Sequence, residues 1–298
     1  MNWRRNFRAI VLAAPLLVGA ATANAAVLRV CADPNNLPFS DWEGGGFENK
    51  IVALIAHDLG ATVDYTWWAQ RRGYVRNTLK ANLCDIWPGV ATGAEMMAST
   101  KPYYRSTYVF VSRADRGLHI VSFDDSRLRK LVIGVQMVGS DATNTPPAHA
   151  LADRGLVQNV HGYMLYGDYR HPHPPSAIID AVENGNVDVA VVWGPMAGYF
   201  AAHEPFSLTV EPVQSQQASS GLPMAFDISM GVRNGDNALL RRLNASLERN
   251  HAAITAILTA YHIPILPERF AAPASPPSLT GSNVQRTHVA PASVPSRK

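Results

Sequence analysis

The sequence predicts an α/β fold of two lobes, and three observations predict it. Short apolar runs alternate with amphipathic helical stretches between residues 27 and 90. A second series of the same kind begins near Leu131. Two β-rich segments, near 107–113 and 223–231, are placed to cross between the two series. Strands alternating with helices of this length imply a parallel sheet covered on both faces, because each parallel crossover needs a helix.

Val27 to Ala32 is an apolar run that ends at Asp33-Pro34, a strand running into a turn. From Glu48 to Leu59 a helix places Ile51, Leu54, Ile55 and Leu59 on one face, and Gly60 follows as a stop. Thr62 to Trp68 is β-branched and aromatic, Val75, Leu79 and Leu83 mark a second helix, and Asp85 to Val90 forms a third strand. Gly44-Gly45-Gly46 reads as a flexible turn. In the second series, Leu131 to Gln136 is a strand and Thr145-Pro146-Pro147 opens a helix that Gly155 closes, with Thr145 as its cap. Val157 to Tyr166 is the next strand. Ser176 caps a helix through Ile178, Ile179 and Val182, and the apolar run Val187 to Trp193 is a buried strand. Ser207 to Val213 is an edge strand, and the Gln and Ser loop at 214–220 leads into Ala225 to Arg233. Asp236 then caps one long helix through Leu239, Leu247 and Leu258, which returns to the first lobe. The expected bounds are 26–110 with 224–270 for lobe one and 111–223 for lobe two, with a ligand cleft between them at the strand ends.

The two ends of the chain have a different character. Arg4, Arg5 and Arg8 precede an apolar run from Ala9 to Ala21 and the small residues Ala23 and Ala25. That run is about 13 residues, short of the ~20 a membrane span needs, so residues 1–25 read as a signal peptide cleaved near Ala25. The Arg4-Arg5 pair with Phe7 admits a twin-arginine route beside ordinary Sec export. Residues 271–298 are rich in Ala, Pro, Ser and Thr and read as a disordered tail. The chain carries +3, and removing the three arginines of residues 1–25 brings it to zero. A nucleic-acid footprint is therefore not expected. Cys31 and Cys84 are the only cysteines. In an oxidising compartment a disulfide is favoured over two buried thiols.

Asp33-Pro34, Pro38-Phe39-Ser40, Gly46-Phe47 with its helix, and Pro102-Tyr103-Tyr104 together resemble the family 3 extracellular solute-binding proteins of polar amino acid transport, over residues 27 to about 265. The wording at Trp67-Trp68, Gln70-Arg71-Arg72-Gly73, Arg76-Asn77-Thr78-Leu79, Cys84-Asp85-Ile86, Asn144-Thr145-Pro146-Pro147 and Val192-Trp193-Gly194-Pro195 is similar to the MxaJ and XoxJ family encoded beside methanol dehydrogenases. The resemblance implies a periplasmic binding protein type II-like fold, two α/β lobes on a two-strand hinge. It also implies a job: binding a pyrroloquinoline quinone (PQQ)-dependent methanol dehydrogenase and aiding its maturation or activation, with no catalysis and no cofactor of its own. Amino acid binders carry an Arg before Pro-Tyr-Tyr for the ligand carboxylate, yet Gly93 to Thr100 holds no basic residue here. They also carry an Asp after the buried second-lobe strand, where Trp193 stands. A zwitterion would go uncompensated in a partly dry cleft. The alternative is thus an importer's solute-binding protein whose ligand is not a standard amino acid.

The candidate cleft or partner-binding residues are Asp33, Phe39, Trp68, Arg71, Arg72, Tyr103, Tyr104, Arg105, Asn144, Thr145 and Trp193. Strand alternation turns one of Trp67 and Trp68 into the core and the other outward, where with Arg71 and Arg72 it would form an aromatic, cationic rim. His161, Asp168, His171 and His173 lack the spacing of a metal site and read as an exposed loop. There is no Gly-x-Ser-x-Gly, His-Glu-x-x-His, Walker loop or dinucleotide glycine fingerprint, and a lyase on this fold would need a general acid or base that the residues do not reveal.

Overall fold

A computed structural model describes residues 26–138, 144–165, 169–170, 172–214 and 221–267. The expected signal peptide, the tail at 271–298, Asp168, His171 and nearly all of the Gln and Ser loop lie outside the described residues. The described residues up to Leu266 belong to one compact unit. No helix among the described residues is long and apolar enough to cross a membrane.

The first lobe begins with β1 (Ala26–Ala32), a small hairpin of β2 (Asn35–Asn36) and β3 (Ser40–Asp41), then α1 (Phe47–Asp58) and β4 (Ala61–Trp67). It continues through α2 (Tyr74–Asn77), β5 (Ile86–Ala91) and β6 (Ala98–Ser99) to the crossing strand β7 (Tyr104–Arg113). The second lobe holds β8 (Ile133–Met137), α3 (Pro146–Asp153), β9 (Val160–Met164), α4 (Ala177–Glu183), β10 (Val189–Trp193), α5 (Gly194–Ala201) and β11 (Leu208–Pro212). The chain returns on β12 (Ala225–Val232) to α6 (Asn237–Arg249) and α7 (His251–Ala260). One mixed sheet runs in the order β4-β1-β5-β12-β7-β10-β8-β9.

The hinge is visible in the register of β7. Its first residues, Tyr104 to Thr107, pair antiparallel with Ile228 to Ala225 of β12, whereas Tyr108 to Ser112 pair with β10, with β11 along the other side. Each lobe then has its own core. Phe47, Ile51 and Ile55 of α1 pack with Val30, Ile86, Leu243 and Leu258 in the first. In the second, side chains alternate across the sheet, so Phe110, Ile133 and Val191 fill one face while Val109, Val111 and Val192 fill the other. Arg105 on β7 is 6% exposed and donates to Asp227 Oδ1 on β12 at 2.9 Å, which fastens the two crossing strands. Asp227→Ala leaves that guanidinium buried without its acceptor. A loss of about 2 kcal/mol is expected, less than a fully buried pair because Asp227 is partly wet, and a urea titration checks it.

Several local expectations are corrected. The helix over Val75 to Leu83 is a single turn: the Thr78 hydroxyl takes the Tyr74 carbonyl at 2.6 Å, Asn82 adopts a left-handed φ of 59°, and Leu83 is exposed. The long C-terminal helix is two helices, broken at Asn250, whose side-chain amide donates to the Ser246 carbonyl at 2.9 Å. Asp236 does cap α6, accepting from Leu239 N. Thr145 and Ser176 precede α3 and α4 without side-chain capping, because their hydroxyls bond Gln136 O and Asp180 Oδ2 instead. Neither Trp67 nor Trp68 enters the core, since β4 is the sheet's edge; Trp67 stacks on Tyr65 at 4.5 Å and Trp68 is exposed. Gly46 is a close approach rather than a loose turn: a Cβ there would lie 2.1 Å from the Phe39 carbonyl oxygen.

Candidate functional site

Opposed loops of the two lobes enclose a groove of about 1010 Å³. The first-lobe wall is the turn after β4. Gly73 takes a φ of 91°, open only to glycine at low cost, and lets the chain reverse into α2. The turn is tied down by Asp33, which accepts from Gln70 N at 2.6 Å and from Asn35 N at 2.9 Å, while Asn36 Nδ2 donates to Gln70 Oε1 at 2.8 Å. This fixes Arg71, Arg72 and Arg76 along the wall, with Trp87 of β5 and Met96 beside them. The second-lobe wall comes from the ends of β8 and β9, Met137 and Met164, followed by Tyr169 and Arg170.

Among the described residues a polar contact between Tyr169 and Asp33 spans the gap. The Tyr169 hydroxyl lies 3.5 Å from Asp33 Oδ1, at the outer limit of a hydrogen bond. Burial raises the Asp33 carboxyl above its ordinary range, against the opposing pull of the Gln70 and Asn35 N–H groups, Tyr169 and Arg71. Burial and the Asp33 charge push Tyr169 up to about 12. Leu37 reaches from the first-lobe loop into the second-lobe core, so the lobes also touch through an apolar plug.

The candidate residues divide accordingly. Arg71 and Arg72 line the groove, Asp33 sits behind it, and Trp68 is exposed outside the lining. Phe39 packs against Phe47 with ring centroids 5.4 Å apart, and Tyr103 and Tyr104 are buried in the first-lobe core, the former donating to Pro88 O. Arg105 belongs to the hinge. Asn144 supports the far wall, its Oδ1 accepting from Val138 N and Thr145 N, and Thr145 is itself 4% exposed. Trp193 packs edge-on to Tyr108 and Phe226 where the lobes join, outside the lining. The sequence predicts a cleft without ionic anchors. Among the described residues four arginines line the groove, though none from Gly93 to Thr100, and no Asp or Glu does. The methionines and Tyr169 went unread in the sequence because each stands at a strand end or in a loop, without periodicity.

Among the described residues no group of three His, Cys, Asp or Glu side chains could hold a metal ion. The groove offers fixed cations beside soft apolar surface, an arrangement for binding. No family model matches the chain. It is 34% identical to protein MoxJ of Methylorubrum extorquens AM1 over 260 residues, 83% of this chain and 84% of the relative. Protein MoxJ of Paracoccus denitrificans is 33% identical over 274 residues, 87% of this chain and 94% of the relative. The crystal structure of periplasmic binding protein XoxJ from Methylobacterium extorquens AM1 superposes with a TM-score of 0.67 at 37% identity, covering 81% of this chain and all of that one. The chain belongs to the family of MoxJ and XoxJ, of which XoxJ is a periplasmic binding protein.

Proposed function

We propose that this protein is exported to the periplasm, loses residues 1–25, and there binds a PQQ-dependent methanol dehydrogenase and assists its maturation or activation. The single observation that carries the reading beyond family membership is the groove's charge. A free amino acid brings an ammonium as well as a carboxylate, and among the described residues the lining holds no acid to receive the ammonium. Asp33 is kept from that role by its burial behind the lining, where it is 1% exposed. The same reading divides the chain into lobes at 26–110 with 224–270 and at 111–223, which fits β7 and β12 as the crossing strands.

Two experiments test it. The mature protein is expected to retain the purified dehydrogenase on an affinity matrix, and its deletion to lower dehydrogenase activity in periplasmic extract. Absence of both effects ends the proposal. Thermal-shift screening against the standard amino acids is expected to leave the melting temperature unmoved, since only a ligand well above its dissociation constant stabilises the folded state. A solute bound with micromolar affinity would instead favour an importer's binding protein.

A further inference from the structure

We infer that residues Tyr261 to Leu266 form a strap across the seam between the lobes, which holds them at one angle and keeps the groove at a fixed width instead of letting it close around its occupant. This holds whichever occupant the groove takes.

The strap starts in the first lobe, where Leu258 of α7 and Ile263 just beyond it are both buried in the core. Between them and the second lobe stands His262, whose left-handed φ of 54° is uncommon for a residue with a β-carbon and ends the helical path. There the chain meets α5 backbone to backbone: a Cβ at Gly198 would lie 2.1 Å from the His262 carbonyl oxygen and 3.0 Å from Pro264 Cδ. Gly194, four residues earlier and so on the same helical face, would meet Pro264 Cγ at 3.5 Å. From α5 the strap passes to the start of β7, where Ser106 Oγ donates to Pro264 O at 2.6 Å and Leu266 N donates to Arg105 O at 2.9 Å. Arg105 and Ser106 lie in the half of β7 that pairs with β12, so the strap touches both lobes and the strand that joins them.

Other side chains tie the same two bodies. Tyr261 stacks on Tyr199 of α5 with ring centroids 5.7 Å apart, meets Phe47 of α1 at 6.0 Å, and donates through its hydroxyl to Gly45 O. Phe39 packs against the cores of both lobes, beside Leu37 in the second. Closure about a hinge needs a few residues at element ends to absorb the rotation while the bodies part freely elsewhere. Rotation in this chain slides apolar side chains and a tight backbone contact past one another. Close-packed interfaces resist such sliding, because they switch between discrete arrangements rather than yield gradually.

Spin labels at Arg241→Cys on α6 and Gln158→Cys in the second lobe, both exposed positions, report the distance between lobes by pulsed dipolar spectroscopy. The native cysteines are bonded to each other and take no label. The labelled chain is expected to give one narrow distance, unchanged when the chain is ended after Pro267. Ending it after Ala260 is expected to broaden the distribution at least twofold. Gly198→Ala is expected to broaden it as well, since it keeps residues 261–266 but denies them their seat, and alanine favours the α5 helix. Melting curves verify that each variant is folded, and if the chain ended at Ala260 is not, Gly198→Ala alone decides. A narrow distance that survives these changes overturns the strap, for β7 and β12 then fix the angle by themselves. A broad distribution in the labelled chain with the strap intact overturns it equally, since the lobes then swing regardless.

Discussion

Replacing Cys31 and Cys84 together with alanine is expected to lower stability by about 4 kcal/mol at 25 °C, the loop-entropy value for a ring of this size. The bridge joins the end of β1 to the residue before Asp85, a sequence separation of 53. Both cysteines are fully buried, in a cluster with Tyr74, Val75 and Leu79. Within the ring lie α1, β4 and the turn from Gln70 to Arg76, and between Asn77 and Ile86 there is no regular element to hold the chain. Some order survives without the bridge, because Arg29 pairs bidentately with Asp85 and Arg233 donates to the same carboxylate at 2.9 Å. The stability loss should therefore be accompanied by faster amide exchange in residues 70–84 than in β1 or β5. Urea titrations of the oxidised wild type, the reduced wild type and the double variant check this, the last two being expected to agree. A variant midpoint equal to that of the oxidised protein would mean that packing alone holds the loop.

What was legible in the sequence follows from which forces act locally. Strands such as β10 are continuous apolar runs because both faces are buried, and that pattern is read without a structure. Helix α5 was not anticipated, since Gly194-Pro195 after Trp193 looks like a turn. In the fold these two residues begin a helix apolar on nearly every side, and Gly198 lets it press against the His262 carbonyl. At the break the Asn250 backbone N–H and side-chain amide both donate to the Ser246 carbonyl, a local arrangement that apolar spacing does not encode. At the site, Arg71 and Arg72 were found because a cationic pair following a strand end is a visible pattern. Tyr103 and Tyr104 were not separable from cleft residues, because a buried tyrosine and a ligand-facing one have the same sequence signature. Met137, Met164 and Tyr169 become neighbours of Arg76 only through the approach of two lobes, a relation between residues about 60 to 90 positions apart that local spacing does not carry.

Stability is expected to fall as pH rises from about 5 to 8, through a contribution that Glu48→Gln removes. Glu48, in the first turn of α1, is 7% exposed, and its Oε1 lies so close to Gly89 that a Cβ there would be 1.9 Å away. Burial alone pushes its carboxyl up to about 8 from an ordinary 4.5. The groups that feel its charge are Tyr65, Tyr74, Tyr103 and Tyr104, none of which supplies a positive charge. Desolvation thus prevails over the helix N-terminus, which by itself favours the anion. The folded chain keeps its proton between the two values while the unfolded chain has released it. The stabilisation is complete below about 4.5 and is lost progressively until the pH passes 8, on the order of 5 kcal/mol in all. Glutamine preserves shape and cannot ionise, so urea midpoints of wild type and Glu48→Gln should diverge steadily between pH 5 and 8, wild type falling further. Parallel midpoints across that window would show that Glu48 is already ionised in the folded chain.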